Sequence, residues 1–190
     1  MQVILASASP QRKQLLSMLG VKFDVQPTHV EELKDGDPAE VVLENARRKA
    51  GAAATPGSLV IGCDTDVALD GRLLGKPGNE SEAASFLDAL AGREHEVLSG
   101  LVLLGPDAGR RRESVASSQV SFREVPEAER RRYVASGEWR GRAGGYAVQG
   151  LGATLVAAVH GDISNVIGLP IGALLDLAPE LGPGAARPAQ

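Results

Sequence analysis

Apolar residues fall along the chain in short runs whose period switches between strand-like and helix-like spacing. Residues 3–6 form a short apolar run and predict a buried strand at the start. Ser9-Pro10 pairs a capping side chain with proline at the first helical position; Leu15, Leu16 and Leu19 then recur at helical spacing until Gly20 stops the helix. Residues 21–25 predict a second strand. Asp37-Pro38 repeats the cap-and-proline signal and opens a helix to about Ala54, ahead of Pro56-Gly57. Residues 59–63 are an apolar run ending at Asp64, and residues 67–69 and 73–74 flank Asp70-Gly71, a strong hairpin signal. A helix over residues 81–90 ends at Gly92, and residues 97–104 make a long strand that pairs with the weaker pattern of 115–122 across a turn at 106–109. Residues 127–136 predict a helix closed by Gly137, residues 143–146 are too glycine-rich for regular structure, and a strand over 154–159 and a helix over 171–177 complete the pattern.

Interleaved strands and helices with inserted hairpins predict an α/β protein: a mixed, twisted sheet with flanking helices. A length of 190 residues suits one α/β domain or two closely joined lobes, over residues 1–181. The Gly-, Ala- and Pro-rich segment 182–190 reads as a disordered tail. Apolar residues at 43% allow a sizeable core, built from Leu, Val, Ile and Ala because aromatics are only 3%. A net charge of -4 argues against a dedicated nucleic-acid binder, and no apolar run approaches the roughly 18 residues that cross a bilayer. Cys63 is the single cysteine, which excludes an intrachain disulfide and suits a reducing, cytoplasmic setting. The N-terminus lacks a basic stretch followed by a long apolar one, so no signal peptide is read there.

Several residues are placed to carry chemistry. Ser7, Ser9 and Arg12 sit between a strand and a helix N-terminus, where free N–H groups and the helix dipole favour an anion; the plain alternative is a capped helix with solvated basic residues. Asp64 follows a buried run, and a carboxylate at the carboxyl end of a strand can hold a divalent metal or take a proton; equally it can cap a turn. Cys63 reads as a small buried hydrophobe rather than a nucleophile. Lys49 shares a helix face with Val42 and Ala46, so it wants a partner or snorkels to water. Lys76, between Gly75 and Pro77, is a cation on a constrained backbone. Glu31-Glu32 is surface charge or a source of a metal ligand. His29, His95 and His160 show no metal-ligand spacing, and the runs at 110–112 and 130–132 read as solvated faces. No Gly-x-x-x-x-Gly-Lys is present, and no Gly-x-Gly-x-x-Gly follows the first strand, which argues against a dinucleotide oxidoreductase.

Six segments in order resemble the Maf family of nucleoside triphosphate pyrophosphatases. They are Leu5-Ala6-Ser7-Ala8-Ser9-Pro10-Gln11-Arg12, Asn45-Ala46-Arg47-Arg48-Lys49-Ala50, Gly62-Cys63-Asp64-Thr65, Gly75-Lys76-Pro77, the segment from Arg142 through Gly144-Gly145-Tyr146 to Gln149-Gly150, and Asn165-Val166-Ile167-Gly168-Leu169-Pro170. Each alone is weak; their order over residues 3–178 is specific. The resemblance implies an elongated, two-lobed Maf/ITPase-like architecture with a central cleft. It also implies hydrolysis of a nucleoside triphosphate between the α and β phosphates, assisted by Mg²⁺ or Mn²⁺, in a homodimer. Asp64 matches the family's proton acceptor and, with Glu32, its metal and reaction centre. Arg12, Lys49 and Lys76 match phosphate-binding positions, and Ser7 and Ser9 match the loop hydroxyls. Substrate-sorting positions fall on Gln11, Thr65 and Gln149; the last two resemble the dTTP/UTP branch rather than the one acting on 7-methyl-GTP. Gln11 stands where Arg is usual, which removes a cation. Asp66 stands where an apolar residue is common, so it adds a metal ligand or faces solvent. Two other functions share these residues: a nucleotide-binding regulator of septum formation with little catalysis, and the same hydrolysis of modified nucleotides.

Overall fold

The structure, a computed structural model, describes residues 2–106 and 110–182. In chain order the elements are β1 (Gln2–Leu5), α1 (Pro10–Met18), β2 (Asp24–Val25), α2 (Pro38–Ala52), β3 (Ser58–Leu69), β4 (Arg72–Leu73) and α3 (Glu80–Leu90). There follow β5 (Glu94–Leu104), β6 (Arg111–Phe122), α4 (Glu127–Ser136), β7 (Val156–His160), α5 (Ile163–Ile167) and α6 (Ile171–Leu177). The strands make one seven-stranded sheet in the order β2-β1-β3-β5-β6-β7, with β4 on β3. β1 is parallel to both β2 and β3, and the other pairs are antiparallel. This is the mixed α/β sheet with flanking helices that the pattern predicts.

The caps act as read. Ser9 accepts from the Arg12 N–H at the start of α1, and Asp37 accepts from the Ala39 and Glu40 N–H groups at the start of α2. The predicted strand 21–25 shrinks to Asp24–Val25, because Val21 and Phe23 turn inward onto the cluster around Leu15, Leu16 and Leu174 and leave the ladder. The runs 59–63 and 67–69 are one continuous twelve-residue strand, β3. Antiparallel pairing with β5 continues through Asp64↔Gly100 and Asp66↔Leu98, so the polar residues between the two runs do not break it. β6 pairs with β5 along its whole length; of their predicted turn, residues 107–109 lie outside the described residues. Of the predicted tail, residues 183–190 also lie outside them. The pattern does not predict α5; at five residues it is too short to show helical periodicity, and Asp162 caps it through the Ser164 N–H. Residues 143–145 form a 3-10 turn in which Gly144 and Gly145 take φ of 65° and 71°. A second 3-10 turn, Gly150–Thr154, delays the last strand to Val156.

Helix α2 lies hard against β3 and β5, and two glycines make that approach possible. A Cβ on Gly62 would come within 2.5 Å of the Ala46 carbonyl and 2.7 Å of the Ala50 Cβ. Gly100 on β5, paired with Asp64, meets the Val42 backbone in the same way. The closeness sets the register between α2 and the sheet, and brings Asn45 and Lys49 down onto the next outward-facing position of β3 after Gly62, which is Asp64. The basic runs are less solvated than predicted. Arg112 donates to the Leu177 carbonyl and to Glu180, and Arg130 to Asp88 and the Val125 carbonyl, so both join separate elements.

Candidate active site

Asp64 lies in the middle of β3, not at its carboxyl end. The crevice opens instead where the neighbouring strand stops: β1 pairs with β3 only as far as Leu5↔Ile61, and β4 joins β3 only at Ala68. Between these points the edge of β3 is uncovered, and the chain after β1 peels away into the Ser7–Arg12 loop. A cleft of about 340 Å³ fills this gap. Its walls include Ser7, Ser9, Gln11, Arg12, Glu32, Lys49, Thr65, Lys76, Arg142, Tyr146 and Gln149. The residues matched to catalytic, phosphate-binding, loop-hydroxyl and substrate-sorting positions therefore all line the cleft except Asp64, whereas Glu31 and Asp66 do not line it. The Asp64 carboxylate sits one layer back, 7% exposed, beside Lys49.

Lys49 is the centre of the arrangement. Its ammonium lies 2.5 Å from Asp64 Oδ1 and 2.6 Å from Glu32 Oε1, so the partner its helix position called for is a pair of carboxylates. Asn45, one turn earlier on α2, donates from Nδ2 to Asp64 Oδ2 at 3.0 Å and to the Leu33 carbonyl at 3.0 Å, while its Oδ1 accepts from the Leu33 N–H at 2.7 Å. One buried amide thus orients Asp64 and pins the loop that carries Glu32. The sequence pattern assigns Asn45 no role; its i, i+4 spacing to Lys49 on one helix face is the available signal. Each carboxylate oxygen has two acceptor positions, so Asp64 retains capacity for a further proton or cation.

Opposite, Arg12 is buried and ties three segments together. Its Nε donates to the Gly168 carbonyl at 2.8 Å, one terminal nitrogen to Ser7 Oγ at 3.2 Å, and the other to Thr65 Oγ1 at 3.1 Å. A guanidinium carries five N–H donors, so two remain for an anion. Thr65 is itself committed: its hydroxyl lies 2.7 Å from Ser99 Oγ and 3.2 Å from the Gly168 carbonyl. Gln11 accepts from Ser9 Oγ at 3.1 Å, which folds it onto the opening loop. Lys76 and Arg142 reach the cleft with no carboxylate partner among the described residues, and Gln149 is exposed at its wall. Four Lys or Arg side chains thus line the cleft against one carboxylate, Glu32, an excess that suits a polyanion.

Other titratable groups have structural partners. Asp66, half-buried, neither joins Asp64 as a ligand cluster nor faces open solvent. Its Oδ1 accepts from the Val67 N–H at 2.7 Å and the Gly75 N–H at 3.0 Å, and burial pushes its carboxyl up to about 6. His95 is enclosed by Phe122 and Tyr146, with Nε2 2.7 Å from the Tyr146 hydroxyl, and burial lowers its pKa to about 4. Cys63 is fully buried, and that burial pushes its thiol up, away from nucleophilic use. Among the described residues no group of three or more His, Cys, Asp or Glu converges as a ready-made metal cage. No helix among them is long and apolar enough to cross a membrane.

Fold and cleft together define an α/β protein with a cationic, carboxylate-backed crevice suited to a phosphorylated ligand. A family model described as Maf-like protein matches residues 2–181. The chain belongs to the Maf family. It is 46% identical over 185 residues to a protein of Syntrophus aciditrophicus, covering 95% of this chain and 90% of that one. It is 42% identical to a protein of Caulobacter vibrioides, covering 95% of each, and 43% identical to one of Deinococcus radiodurans, covering 93% and 91%. All three relatives are named dTTP/UTP pyrophosphatase. Among solved structures, the Staphylococcus aureus Ham1 protein superposes with a TM-score of 0.47 at 18% identity, over 64% of this chain and 72% of that one.

Proposed function

We propose that this chain hydrolyses nucleoside triphosphates between the α and β phosphates, releasing a monophosphate and pyrophosphate, with dTTP and UTP preferred. The observation that carries the proposal is Asp64, held between Asn45 and Lys49 at the back of a cleft lined by Arg12, Lys76 and Arg142. The names of the relatives supply the base preference.

The triphosphate lies along the Ser7–Arg12 loop, where the start of α1 and the two spare N–H groups of Arg12 meet its oxygens. Lys76 and Arg142 neutralise the rest. A polyanion at this position draws the Lys49 ammonium from the carboxylates toward phosphate and uncovers Asp64. Asp64 accepts a proton from water as the water oxygen bonds to the α-phosphorus. The bond to the bridging oxygen breaks, and its electron pair leaves with pyrophosphate, whose charge the cations stabilise. At the far wall the Gln149 amide both donates and accepts, which matches the N3–H and O4 edge of uracil or thymine.

Asp64 and Glu32 would hold a divalent cation, Mg²⁺ or Mn²⁺. Their fit is visible in the ammonium on which both carboxylates already converge, and Mg²⁺ commonly takes one or two carboxylates with water and phosphate completing its shell. When bound, such an ion supplies charge neutralisation on the phosphate oxygens. A cytoplasmic setting suits a chain whose one cysteine is a buried thiol.

The test is pyrophosphate release from dTTP, UTP, CTP, 7-methyl-GTP and inosine triphosphate, with and without Mg²⁺ or Mn²⁺, beside Asp64→Asn. Metal-dependent release that is strongest with dTTP and UTP and falls about 10²–10⁴-fold in the variant is the expected result. Release centred on another base would keep the reaction and shift the specificity argument to Gln11. No release from any triphosphate would overturn the proposal in favour of a nucleotide-binding regulator.

A further inference from the structure

Asp66 sits two positions beyond Asp64 on the same face of β3, but it belongs to a different piece of the site. Its Oδ1 accepts the Gly75 N–H at 3.0 Å. The adjoining backbone contact is Leu74 N–H to the Val67 carbonyl at 2.9 Å, and the Gly75 carbonyl in turn accepts the Gly144 N–H at 2.8 Å. Gly144 has a φ of 65° and lies against Val67, where an added Cβ would come within 2.8 Å of the Val67 side chain. Gly75 also has a positive φ, 66°, so the loop reverses at the residue before Lys76. Two bonds from consecutive residues of β3 therefore grip this reversal from one side. The Gly75–Gly144 bond grips it from the other and ties it to the segment that carries Arg142 and Gln149.

We infer that Asp66 is a positioning residue: by accepting the Gly75 N–H it fixes the loop that aims Lys76 into the cleft and couples that loop to the Gly144 turn. The inference rests on the phosphate-binding role of Lys76 proposed above. It assigns Asp66 no contact with substrate or metal. An acceptor oxygen is what the Gly75 N–H of this chain requires, not a charge, so Asn can replace Asp here, whereas the apolar side chain common at this position in the resembled family would leave that N–H without this acceptor.

The test compares Asp66→Asn with Asp66→Val, a β-branched replacement that suits a strand, and with Asp66→Ala should the valine variant fail to fold. Residue-resolved amide hydrogen exchange on the ligand-free protein reads the clamp without any appeal to activity. The Gly75 and Gly144 amides are expected to stay protected in wild type and Asp66→Asn, and to exchange roughly tenfold faster or more in Asp66→Val, which leaves the Gly75 N–H without its acceptor. Pyrophosphate release then reads the consequence. kcat/KM falls by about tenfold in Asp66→Val, stays within about threefold of wild type in Asp66→Asn, and changes little on adding Asp66→Val to a Lys76→Ala background. Unchanged exchange at Gly75 in Asp66→Val would overturn the clamp. An Asp66→Asn variant as impaired as Asp66→Val, with a raised Mg²⁺ requirement, would overturn the positioning role in favour of a metal-binding one. If no triphosphate is hydrolysed by the wild type, the exchange result still decides whether the clamp exists.

Discussion

Replacing Gly62 by alanine tests how the fold builds the site. The new Cβ would stand 2.5 Å from the Ala46 carbonyl oxygen and 2.7 Å from the Ala50 Cβ, where ordinary contact begins near 3.4 Å. Both obstacles belong to α2, and one of them is backbone, so rotamer changes cannot relieve the clash. The helix must back away from β3 by roughly 1 Å, and overpacking of this kind costs about 1–3 kcal/mol. For a chain of this size that lowers Tm by roughly 2–12 °C. The same retreat takes the Asn45 Nδ2 to Asp64 Oδ2 bond from 3.0 Å to the edge of hydrogen-bonding distance, and it loosens the Lys49–Asp64 pair at 2.5 Å. Misplacement by about 1 Å at a reacting group is worth on the order of 10²-fold in rate. Gly51→Ala is the control: it lies in the same helix with nothing within 4 Å of its added Cβ. It should gain up to about 1 kcal/mol from helix propensity and leave turnover unchanged. Thermal melts and kcat/KM for pyrophosphate release on both variants complete the experiment. A Gly62→Ala protein that melts earlier yet turns over normally would refute the claim that the seat of α2 sets the geometry around Asp64.

Three further outcomes follow from the same structure. Asn45→Ala should lower kcat by about tenfold or more, because it frees Asp64 Oδ2 and the Leu33 backbone together; a variant that melts earlier but keeps its full kcat would leave Asn45 a purely structural residue. Gln149→Glu should weaken uracil and thymine nucleotides selectively, since a carboxylate accepts but does not donate; equal losses across all bases in the release assay would contradict base reading by this side chain. His95 has a folded pKa of about 4, below its ordinary 6.5, so the unfolded chain takes up the proton first and stability is lost as pH falls from about 6.5 to 4. His95→Gln removes a loss on the order of 3 kcal/mol, so denaturant titrations should show the variant gaining on wild type by that amount between pH 7 and pH 4. Asp66, raised to about 6, acts with the opposite sign, and its contribution cancels in the comparison because both proteins carry it.

Local chemistry decided much of what could be read without a structure. Proline after a capping residue favours a helix start through local chemistry, so the starts of α1 and α2 were legible. Asp70-Gly71 turns the chain between β3 and β4 by its own backbone preferences, with φ of 52° and 74°. The order of six short motifs carried the family, and ten side chains named from it, Ser7, Ser9, Gln11, Arg12, Glu32, Lys49, Asp64, Thr65, Lys76 and Gln149, converge on one cleft or its back wall.

Other features depend on segments far apart in sequence and were not legible. Whether β3 breaks at Asp64 is settled by the β5 ladder beside it, and whether residues 21–25 form a strand by the inward turn of Val21 and Phe23. Asn45 and Asp66 act through neighbours 12, 19 and 9 residues away, and Arg12 and Thr65 through Gly168, 156 and 103 residues on. A side chain's type and spacing declare what it can donate, accept or neutralise; which partner it meets depends on how the sheet and α2 pack, and only the tertiary structure decided that.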